Sequence, residues 1–358
     1  MSRIRSVARK DHLKWTIVAI EHLFKKWIAR KSSHTLESVA TKTWEIAPSE
    51  TSISPPAFFL PDQLERVTGW AFSSEHPRRT MEGGKVFHKA TRGFLLKDVW
   101  LIDGALYKDD AHSWLAPRTS RWPRLHVETE IGRGAVYCTY GGNKYFGSWL
   151  IDDCLTYPLA CAEGIPVTTA QAVGLHTLGY EDWLDMKPTR LHNAFFRELV
   201  IFEDIGQNRH RHLRFRTMSD RLLSHVKAAT HPGVFILRGG MGERLLQNEI
   251  ELAEHLRVQR GFNILDPMKA DVPAIVAACA GARTVVGVEG SQLCHGIAVL
   301  QPGGSLLALQ PSNRFVSALK PLMDRDQQHF GFVVGHAKGK GFCIDPIEVE
   351  RTLDLFPG

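Results

Sequence analysis

The segment Thr284–Leu293 constrains the fold more than any other part of the chain. It reads Thr-Val-Val-Gly-Val-Glu-Gly-Ser-Gln-Leu, a short β-branched run that meets two glycines and continues as a helical pattern. A strand that passes directly into a helix is typical of an open α/β sheet. The carboxyl end of such a strand opens on a crevice, and the helix N-terminus offers N–H groups to anions. We therefore expect a phosphorylated ligand to bind at this turn.

Apolar runs on either side of this segment predict three more strands, at Val234–Leu237, Phe262–Leu265 and Ser305–Leu309. Together with the strand at Thr284–Val288, they alternate with amphipathic helical patterns. This alternation predicts a parallel sheet with right-handed crossovers, which is a Rossmann-like domain of the α/β class.

The helices between these strands carry start and stop signals. Asn248, with Glu251 three residues later, forms a capping-box pattern for a helix that ends at Gly261. Asp271 predicts the start of the next helix by the same kind of cap. A third helix is expected over Leu293–Leu300.

The chain is long enough for two domains. Its 358 residues, 44% of them apolar and 23% charged, suit a globular protein with roughly 150 residues in each domain. We predict a basic helix and a Ser-, Thr- and Pro-rich linker at 1–56, with the linker beginning near residue 31. An N-terminal domain at 57–230 and a C-terminal Rossmann-like domain at 231–335 follow. Residues 336–358 form a last segment that we expect to pack back on the N-terminal domain.

Residues 1–31 are strongly basic and amphipathic. They hold nine Lys or Arg residues against two acids, Asp11 and Glu21. We expect this helix to lie on an anionic membrane surface, and the alternative is a helix packed on the protein with a solvated basic face. Its apolar centre, Trp15–Ile20, is too short for a signal peptide or a transmembrane span. The apolar side chains that recur at helical spacing are Leu13, Ile17, Ile20, Phe24, Trp27 and Ile28.

The cysteines bear on the cellular compartment. The six cysteines form no CxxC pair and have no close spacing with histidines, so neither a zinc site nor a disulfide framework is indicated. We expect a cytoplasmic protein, either soluble or peripheral on the inner face of the cell membrane.

Two common nucleotide-binding motifs and a nucleic-acid partner are not indicated. Gly239, Gly240 and Gly242 do not form GxGxxG after the first strand, and the chain has no GxxxxGK[ST] sequence. The basic run Asn208–Arg216 holds one aromatic residue and lies in no recognised nucleic-acid module. A solvated or interdomain surface is the simpler interpretation of this run, and contact with an anionic acceptor is the alternative.

Spaced motifs in the C-terminal half carry a family resemblance. They are Phe235-Ile236-Leu237-Arg238, Arg244, Asn248-Glu249, Gly261-Phe262, Asp266-Pro267, Val285-Val286-Gly287-Val288-Glu289-Gly290-Ser291-Gln292-Leu293 and Pro302-Gly303. In order and spacing they resemble glycosyltransferase family 61, and bacterial members of that family are often described as capsular polysaccharide biosynthesis proteins. A weaker match covers Asn143–Pro158.

The resemblance implies a GT-B-like architecture, in which two Rossmann-like domains face each other across a cleft. Residues 57–230 would form the acceptor side, and residues 231–335 would hold the nucleotide sugar. Family members are inverting transferases that use no divalent metal, and no cofactor is implied beyond the nucleoside-diphosphate sugar that serves as donor. The implied activity is transfer of a hexose or pentose to a carbohydrate or lipid-linked acceptor in surface polysaccharide assembly.

The first group of expected donor residues is positively charged or offers N–H groups. Without a metal, positive side chains and helix N-termini have to stabilise the leaving diphosphate. We expect Arg238 and Arg244 to hold the diphosphate, and the N–H groups of Gly290, Ser291 and Gln292 to cradle it. The alternative for the two arginines is a structural ion pair with nearby acids.

Three further residues complete the expected donor site. Asn248 is a helix cap, a ligand contact, or both. Glu249 is expected to bind a ribose hydroxyl or to be an acid of the kind favoured in a first helical turn. Glu289 stands where many relatives carry histidine. We expect its carboxylate to face ribose or sugar hydroxyls, because a diphosphate would repel it.

The catalytic base is expected in the N-terminal half, because an inverting transferase must remove a proton from the acceptor hydroxyl. The stretch Tyr145–Asp153 resembles a family motif, with Ser148 at its histidine position. Asp152 and Asp153 are the candidate bases, and Asp152 matches the family's aspartate. In the alternative interpretation both acids are structural or solvated, beside a buried helical stripe that includes Trp149.

Two other classes of function stay open. The replaced histidines are compatible with a non-catalytic homologue that binds a nucleotide sugar. The same two-domain frame also serves other nucleotide-sugar enzymes, such as epimerases.

Overall fold

A computed structural model describes residues 34–71, 77–117, 127, 129–170, 174–239 and 244–357, together with the backbone of residues 4–6. These residues form a mixed α/β protein that divides into two units. The first unit comprises residues 1–48, 90–177 and 185–205, and the second comprises residues 49–89, 178–184 and 206–358.

The strands of the described residues are β1 (Ile4–Ser6), β2 (Lys42–Ala47), β3 (Glu50–Ser54), β4 (Gly84–His88), β5 (Thr91–Ile102), β6 (Ala105–Lys108), β7 (Ala111–Trp114), β8 (Thr129–Val136), β9 (Ile165–Thr169), β10 (Thr189–Leu191), β11 (Asn193–Glu203), β12 (His231–Ile236), β13 (Asn263–Leu265), β14 (Ala282–Val288), β15 (Ser305–Pro311), β16 (His329–Lys338) and β17 (Gly341–Cys343). The α-helices are α1 (Pro77–Glu82), α2 (Phe146–Ser148), α3 (Cys154–Glu163), α4 (Thr177–Trp183), α5 (Arg209–Ser224), α6 (Glu249–Arg260), α7 (Val272–Cys279), α8 (Leu293–Ile297), α9 (Lys320–Arg325) and α10 (Pro346–Leu353). A short 3₁₀ helix spans Leu36–Val39.

The first unit is built on one mixed sheet. Strands β10, β9, β8 and β11 are parallel neighbours in that order, and β11, β5, β6 and β7 continue the sheet with antiparallel pairing. Its core includes the fully buried side chains of Leu96, Val99, Phe196 and Leu199. The crossover between the parallel strands β8 and β9 is the helical segment that carries both candidate bases. That segment is therefore held by a βαβ unit.

The linker predicted at 31–56 is wrong over its described part. Residues 42–47 form β2, which pairs with β5, and residues 50–54 form β3, which pairs with β4. Ser and Thr suggested a loop, but Thr and Ile also suit a strand once a partner strand is available. The partners are distant in sequence, so local composition could not indicate them.

The second unit is built on a sheet with the strand order β13-β12-β14-β15-β16-β17. The first five strands run parallel, and β17 is antiparallel to β16. The four strands predicted from the sequence are confirmed as β12 to β15, with small shifts at their ends. After β12, the chain forms β13 on one side of that strand and then returns to form β14 on its other side. The direction in which strands are added to the sheet therefore changes between β12 and β14. This change is the switch point of the sheet.

The structure confirms the helix starts predicted at Asn248 and Asp271 and the helix end predicted at Gly261, but not the capping box. Gly261 ends α6 in the left-handed conformation, with φ of 69°. Asp271 caps α7 by accepting a hydrogen bond from the backbone N–H of Ala274 at 2.9 Å. The capping box predicted at Asn248 is wrong, because its side chain makes no cap bond and contacts Ile344 instead. The third helix, α8, ends at residue 297, three residues earlier than predicted.

The C-terminal segment completes the second unit. Phe342 and Val349 are buried in the same apolar cluster as Phe235 and Val286 of the parallel sheet. The segment also contacts the earlier part of the chain, since Glu348 accepts two hydrogen bonds from the Arg66 guanidinium, at 2.6 and 2.8 Å. These contacts attach residues 336–357 to the second unit.

The two units do not follow the linear boundaries suggested by the sequence. Residues 49–89 and 206–230 belong to the second unit. Phe58 lies beside Gly331 in a parallel bridge, and Phe215 of α5 packs under the Arg325 guanidinium. The predicted basic run at 208–216 is the first half of α5, because Asn208 caps that helix through the N–H of Arg211.

None of the helices in the described residues combines the length and apolar character needed to cross a lipid bilayer. The basic amphipathic helix predicted within residues 1–31 lies outside the described residues, apart from a backbone segment at residues 4–6. That segment forms β1, antiparallel to β8. A membrane-surface role for residues 1–31 stays a prediction.

We expect Asp271→Ala to lower the free energy of unfolding by about 1 kcal/mol, because it removes the cap of α7. Asp271→Ser is the matched control, since a serine can retain the cap and most of the stability. Urea unfolding of both variants measures the difference. Equal losses of stability in the two variants would show that the cap is not the cause.

Candidate functional site

The carboxyl ends of β12 and β14 bring together two of the segments selected from the sequence. The strands are direct parallel neighbours, with Val234 opposite Val285 and Phe235 opposite Val286. Arg238 and the turn that begins at Glu289 therefore start at the same edge of the sheet. This edge is the switch point, where open α/β sheets bind their ligands.

Arg238 reaches from the end of β12 to the turn after β14. Its Nη1 donates to the backbone carbonyl oxygen of Glu289 at 3.2 Å and to Oε1 of Gln292 at 3.3 Å. A Cβ at Gly290 would displace this guanidinium, and the φ of +159° at Gly290 is one that L side chains rarely adopt, so glycine suits this position. The guanidinium, the glycine and the glutamine thus form one contact group.

Glu249 orders the loop that carries Arg238. One carboxylate oxygen accepts from the backbone N–H of Arg238 at 2.8 Å, and the other accepts from that of Gly239 at 3.2 Å. Burial raises the pKa of Glu249, and the two backbone hydrogen bonds oppose that rise. In this position Glu249 fixes the backbone at the end of β12, a structural role that the sequence did not indicate.

A third arginine, Arg314, lies near Arg238 and was not selected from the sequence. Burial lowers the pKa of Arg238, the charge of Glu249 raises it, and the positive charge of Arg314 lowers it again. Arg314 follows β15, which is the neighbour of β14 in the sheet. Its place just beyond the fourth predicted strand is the signal that could have identified it.

Arg244 forms an ion pair with the carboxylate of Glu289, through Nη1 and Oε2. Both side chains are largely buried. The carboxylate therefore faces a guanidinium in this structure, whereas the sequence led us to expect sugar hydroxyls as its partners. An anion that binds at Arg244 has to compete with this carboxylate.

Asn248 and Ser291 have different surroundings. The Asn248 carboxamide donates to the backbone carbonyl of Ile344 at 2.8 Å and accepts from its N–H at 3.3 Å. This pairing ties the start of α6 to the C-terminal segment. Ser291 is half-buried within the turn, and its carbonyl accepts from the N–H of Cys294 at 3.2 Å. Of these two residues, Ser291 belongs to the turn that Arg238 contacts through Glu289 and Gln292.

A buried histidine follows the same turn and was also missed. The Nδ1 atom of His295 in α8 lies 2.8 Å from the hydroxyl of Tyr180. The two rings stack with their centroids 5.6 Å apart, and both side chains are buried. This pair fixes the helix into which the Gly290 turn runs.

The two candidate bases lie in the first unit, in different environments. Both belong to a π-helical turn, Trp149–Asp153, and such turns are frequent at functional sites. Asp153 is buried, and its oxygens accept from the backbone N–H and the hydroxyl of Thr139, each at 2.9 Å. Asp152 and Ser148 are half-buried. Asp152 is therefore the more accessible of the two acids.

The contacts of Asp153 favour the structural interpretation for this residue. Gly142 packs directly on its carboxylate, where a Cβ would collide. Burial raises the pKa of Cys138 to about 11, and the negative charge of Asp153 contributes to the rise. The buried stripe predicted as the alternative is confirmed, and its members are Trp149, Leu150 and Leu155.

A parallel α/β sheet with arginines at its switch point is typical of proteins that bind phosphorylated ligands. Comparison with protein families is more specific, because the model of the glycosyltransferase 61 family matches residues 52–307. The chain belongs to the glycosyltransferase 61 family, and this membership makes it a glycosyltransferase. Comparison with curated proteins gave no match.

We expect Asp153→Asn to lower the free energy of unfolding by about 1–3 kcal/mol, since an amide cannot accept from both Thr139 groups through two oxygens. Asp152→Asn is the matched control and should change the stability much less. Thermal and urea unfolding measure both variants. A fully stable Asp153→Asn protein would contradict the structural role.

Proposed function

We propose that this chain is an inverting glycosyltransferase that needs no divalent metal. It moves a hexose or pentose from a nucleoside-diphosphate sugar to a glycan or lipid-linked acceptor, in the biosynthesis of a surface polysaccharide such as a capsule. A GT-B-like architecture is part of the proposal. The observation that carries it is the meeting of Arg238, Arg244 and the Gly290 turn at the switch point, in a member of the glycosyltransferase 61 family.

The arginines are suited to the leaving group of this reaction. Breaking the bond to the sugar leaves negative charge on the diphosphate, and guanidinium groups bind such oxygens through charge-assisted hydrogen bonds. Arg238 lies against the Gly290 turn, and Arg314 follows the neighbouring strand. In the proposal these two arginines and the N–H groups of the turn hold the diphosphate.

The ion pair between Arg244 and Glu289 sets the charge of this site. The Glu289 carboxylate repels a diphosphate, so the donor binds only where the arginines outweigh it. We propose that Glu289 holds Arg244 at the edge of the site and that the guanidinium turns toward the diphosphate when the donor binds. The other carboxylate oxygen accepts from a ribose or sugar hydroxyl of the donor.

Asp152 is the proposed base. Displacement with inversion requires removal of the proton from the acceptor hydroxyl as it attacks the anomeric carbon. Asp153 is engaged by Thr139 in the core, whereas Asp152 is half-buried in the π-helical turn. Of the two acids, Asp152 is the one that a substrate reaches more easily.

The proposed location follows from the basic N-terminal segment. Residues 1–31 carry nine basic residues and bring the protein to the anionic inner face of a membrane. This location suits a lipid-linked acceptor, because such an acceptor is confined to the membrane surface. The protein is otherwise proposed to be cytoplasmic.

A second candidate function is nucleotide-sugar binding without catalysis. The observation in its favour is that the charge of Arg244 is balanced within the protein by Glu289, at a position often occupied by histidine in the family. Product analysis separates the classes. A glycosylated acceptor indicates a transferase, an isomerised or free sugar indicates another nucleotide-sugar enzyme such as an epimerase, and no product indicates a binding protein.

Arg238→Ala should weaken nucleoside diphosphate binding by about tenfold or more, because a hydrogen bond to a charged group contributes about 1.5–3 kcal/mol. The measurement is the rise in melting temperature over a panel of nucleoside diphosphates and their sugars. Arg257→Ala is the matched control, since that arginine is exposed on α6 and pairs with Glu254. The Arg257→Ala protein should show the same nucleotide-induced rise in melting temperature as the wild type.

Two results would contradict this donor site. A wild-type protein that no nucleotide stabilises would remove the argument for a phosphorylated ligand. Equal stabilisation of the wild type and of Arg238→Ala would place the nucleotide elsewhere.

Glu289→Gln should change stability and nucleotide affinity in opposite directions. The melting temperature of the protein alone should fall, because Arg244 loses its buried partner. The affinity for nucleoside diphosphates should rise by about tenfold, equivalent to one charge-assisted contact, because the competing carboxylate is neutralised. Isothermal titration calorimetry measures the affinity, with Arg244→Ala as the comparison that should weaken binding. Unchanged affinity in both variants would make the ion pair purely structural.

A further inference from the structure

The second unit contains a cavity between the two-stranded β3–β4 sheet and α9. Its volume is about 340 Å³, which lies in the range of small-ligand sites. Ser52, Ser54 and His88 line the sheet side, and Asp324 lines the helix side. In the described part of the chain, its lining shares no residue with the donor site.

Asp324, which lines the helix side of this cavity, forms an ion pair with the buried Lys320. The ammonium of Lys320, whose side chain is 1% exposed, donates to both carboxylate oxygens of Asp324, at 2.5 and 2.6 Å. It also donates to the carbonyl of Pro55 at 2.7 Å, and the Ser54 hydroxyl donates to Asp324 at 2.5 Å. These contacts hold the Asp324 carboxylate in one position in the lining of the cavity.

The strand side of the cavity also holds a hydrogen-bonded pair, Ser52 and His88. The ring Nε2 of His88 lies 2.8 Å from the hydroxyl of Ser52. Burial lowers the pKa of His88, while the charges of Glu50 and Asp324 oppose that effect. A neutral imidazole has one donor and one acceptor nitrogen, so it suits a ligand that offers hydroxyl groups.

The rim is aromatic and basic. The side chain of Phe87 lines the cavity and is 67% exposed, so its ring is open to a ligand. Arg79 and Lys85 also line the cavity and are exposed. The rim therefore offers a flat apolar surface and positive charge to the same ligand.

Three ligand classes can be compared with this lining. A purely apolar ligand would add no hydrogen bond to His88 or Asp324 and would leave the positive charge of the rim without a partner. A phosphate beside Asp324 would meet an ion pair whose two charges balance, so it would gain little net attraction there. A carbohydrate offers hydroxyl donors to Asp324 and His88, and its apolar C–H face can pack on Phe87. Carboxylates on a sugar would find Arg79 and Lys85 at the rim.

We propose that this cavity is a carbohydrate-binding site for a short stretch of an acidic glycan. Asp324 and His88 bind sugar hydroxyls, Phe87 packs against a ring, and Lys85 and Arg79 attract sugar carboxylates. The assignment rests on the proposed function only in taking the acceptor to be a glycan. Binding at this cavity does not require the donor site.

The test is calorimetric titration of the full chain, without nucleotide, with short oligogalacturonate, alginate and hyaluronan fragments and with neutral cello-oligosaccharides. Phe87→Ala should weaken acidic oligosaccharide binding by about tenfold, which is the loss of one stacked aromatic contact. Ile347→Ala, at a side chain that is 64% exposed on α10, is the matched control and should bind as the wild type does. Both substitutions are on the surface, so folding is retained.

Three further variants test whether positive charge at the rim attracts the ligand and whether binding is independent of the donor site. Lys85→Gln should weaken binding and reduce its salt dependence, whereas Lys340→Gln, also exposed, should not. Arg238→Ala should leave oligosaccharide binding intact, so failure of the donor site is distinguishable from failure of this cavity. The proposal is overturned if none of the acidic oligosaccharides binds, if neutral ones bind equally well, or if Phe87→Ala binds as tightly as Ile347→Ala.

Discussion

The contact of the Arg238 guanidinium with the backbone at Gly290 is the interaction on which the switch-point site depends. It is possible only because β12 and β14 are adjacent parallel strands, so that their carboxyl ends leave the sheet side by side. Glycine is favoured at the point of contact, since a Cβ would displace the guanidinium and the backbone φ of +159° is one that L side chains rarely adopt. Glu249 then fixes the loop from behind through two backbone N–H groups. Sheet order, loop conformation and side-chain position are therefore linked in one small region.

The parallel sheet could be predicted because its local signals agree with its long-range structure. Strands β12, β14 and β15 each contain a buried apolar run, as expected for strands covered on both faces, and Gly261 and Asp271 mark helix boundaries by local backbone chemistry. The first unit and the β3–β4 strand pair of the second unit gave weaker signals. Strand β3 is rich in Ser and Thr, β2 mixes polar and apolar residues, and both become strands through partners that lie elsewhere in the chain. Composition indicates polarity, but it does not indicate a pairing partner.

In the candidate site, too, the sequence indicates single residues but does not indicate which residues they contact. Arginines at strand ends could be found from the sequence, whereas their partners could not. Arg244 pairs with a glutamate 45 positions away, and Asn248 contacts a backbone group 96 positions away instead of capping its own helix. The lining of the proposed carbohydrate cavity joins Ser54 to Asp324 across 270 positions. Such contacts are products of the tertiary structure, so a motif alone does not specify them.

The Arg244–Glu289 pair is better understood as one functional unit than as two separate positions. Burying both charges carries a desolvation cost that roughly offsets their attraction, so stability alone is a weak reason for the pair to exist. Its local effect is to keep a guanidinium at the switch point while the region stays close to neutral. A histidine in place of Glu289 would remove that balance and leave the arginine's charge to be compensated elsewhere. Substitution of one partner therefore changes the electrostatic environment of the other, and only a double-mutant cycle can separate their contributions.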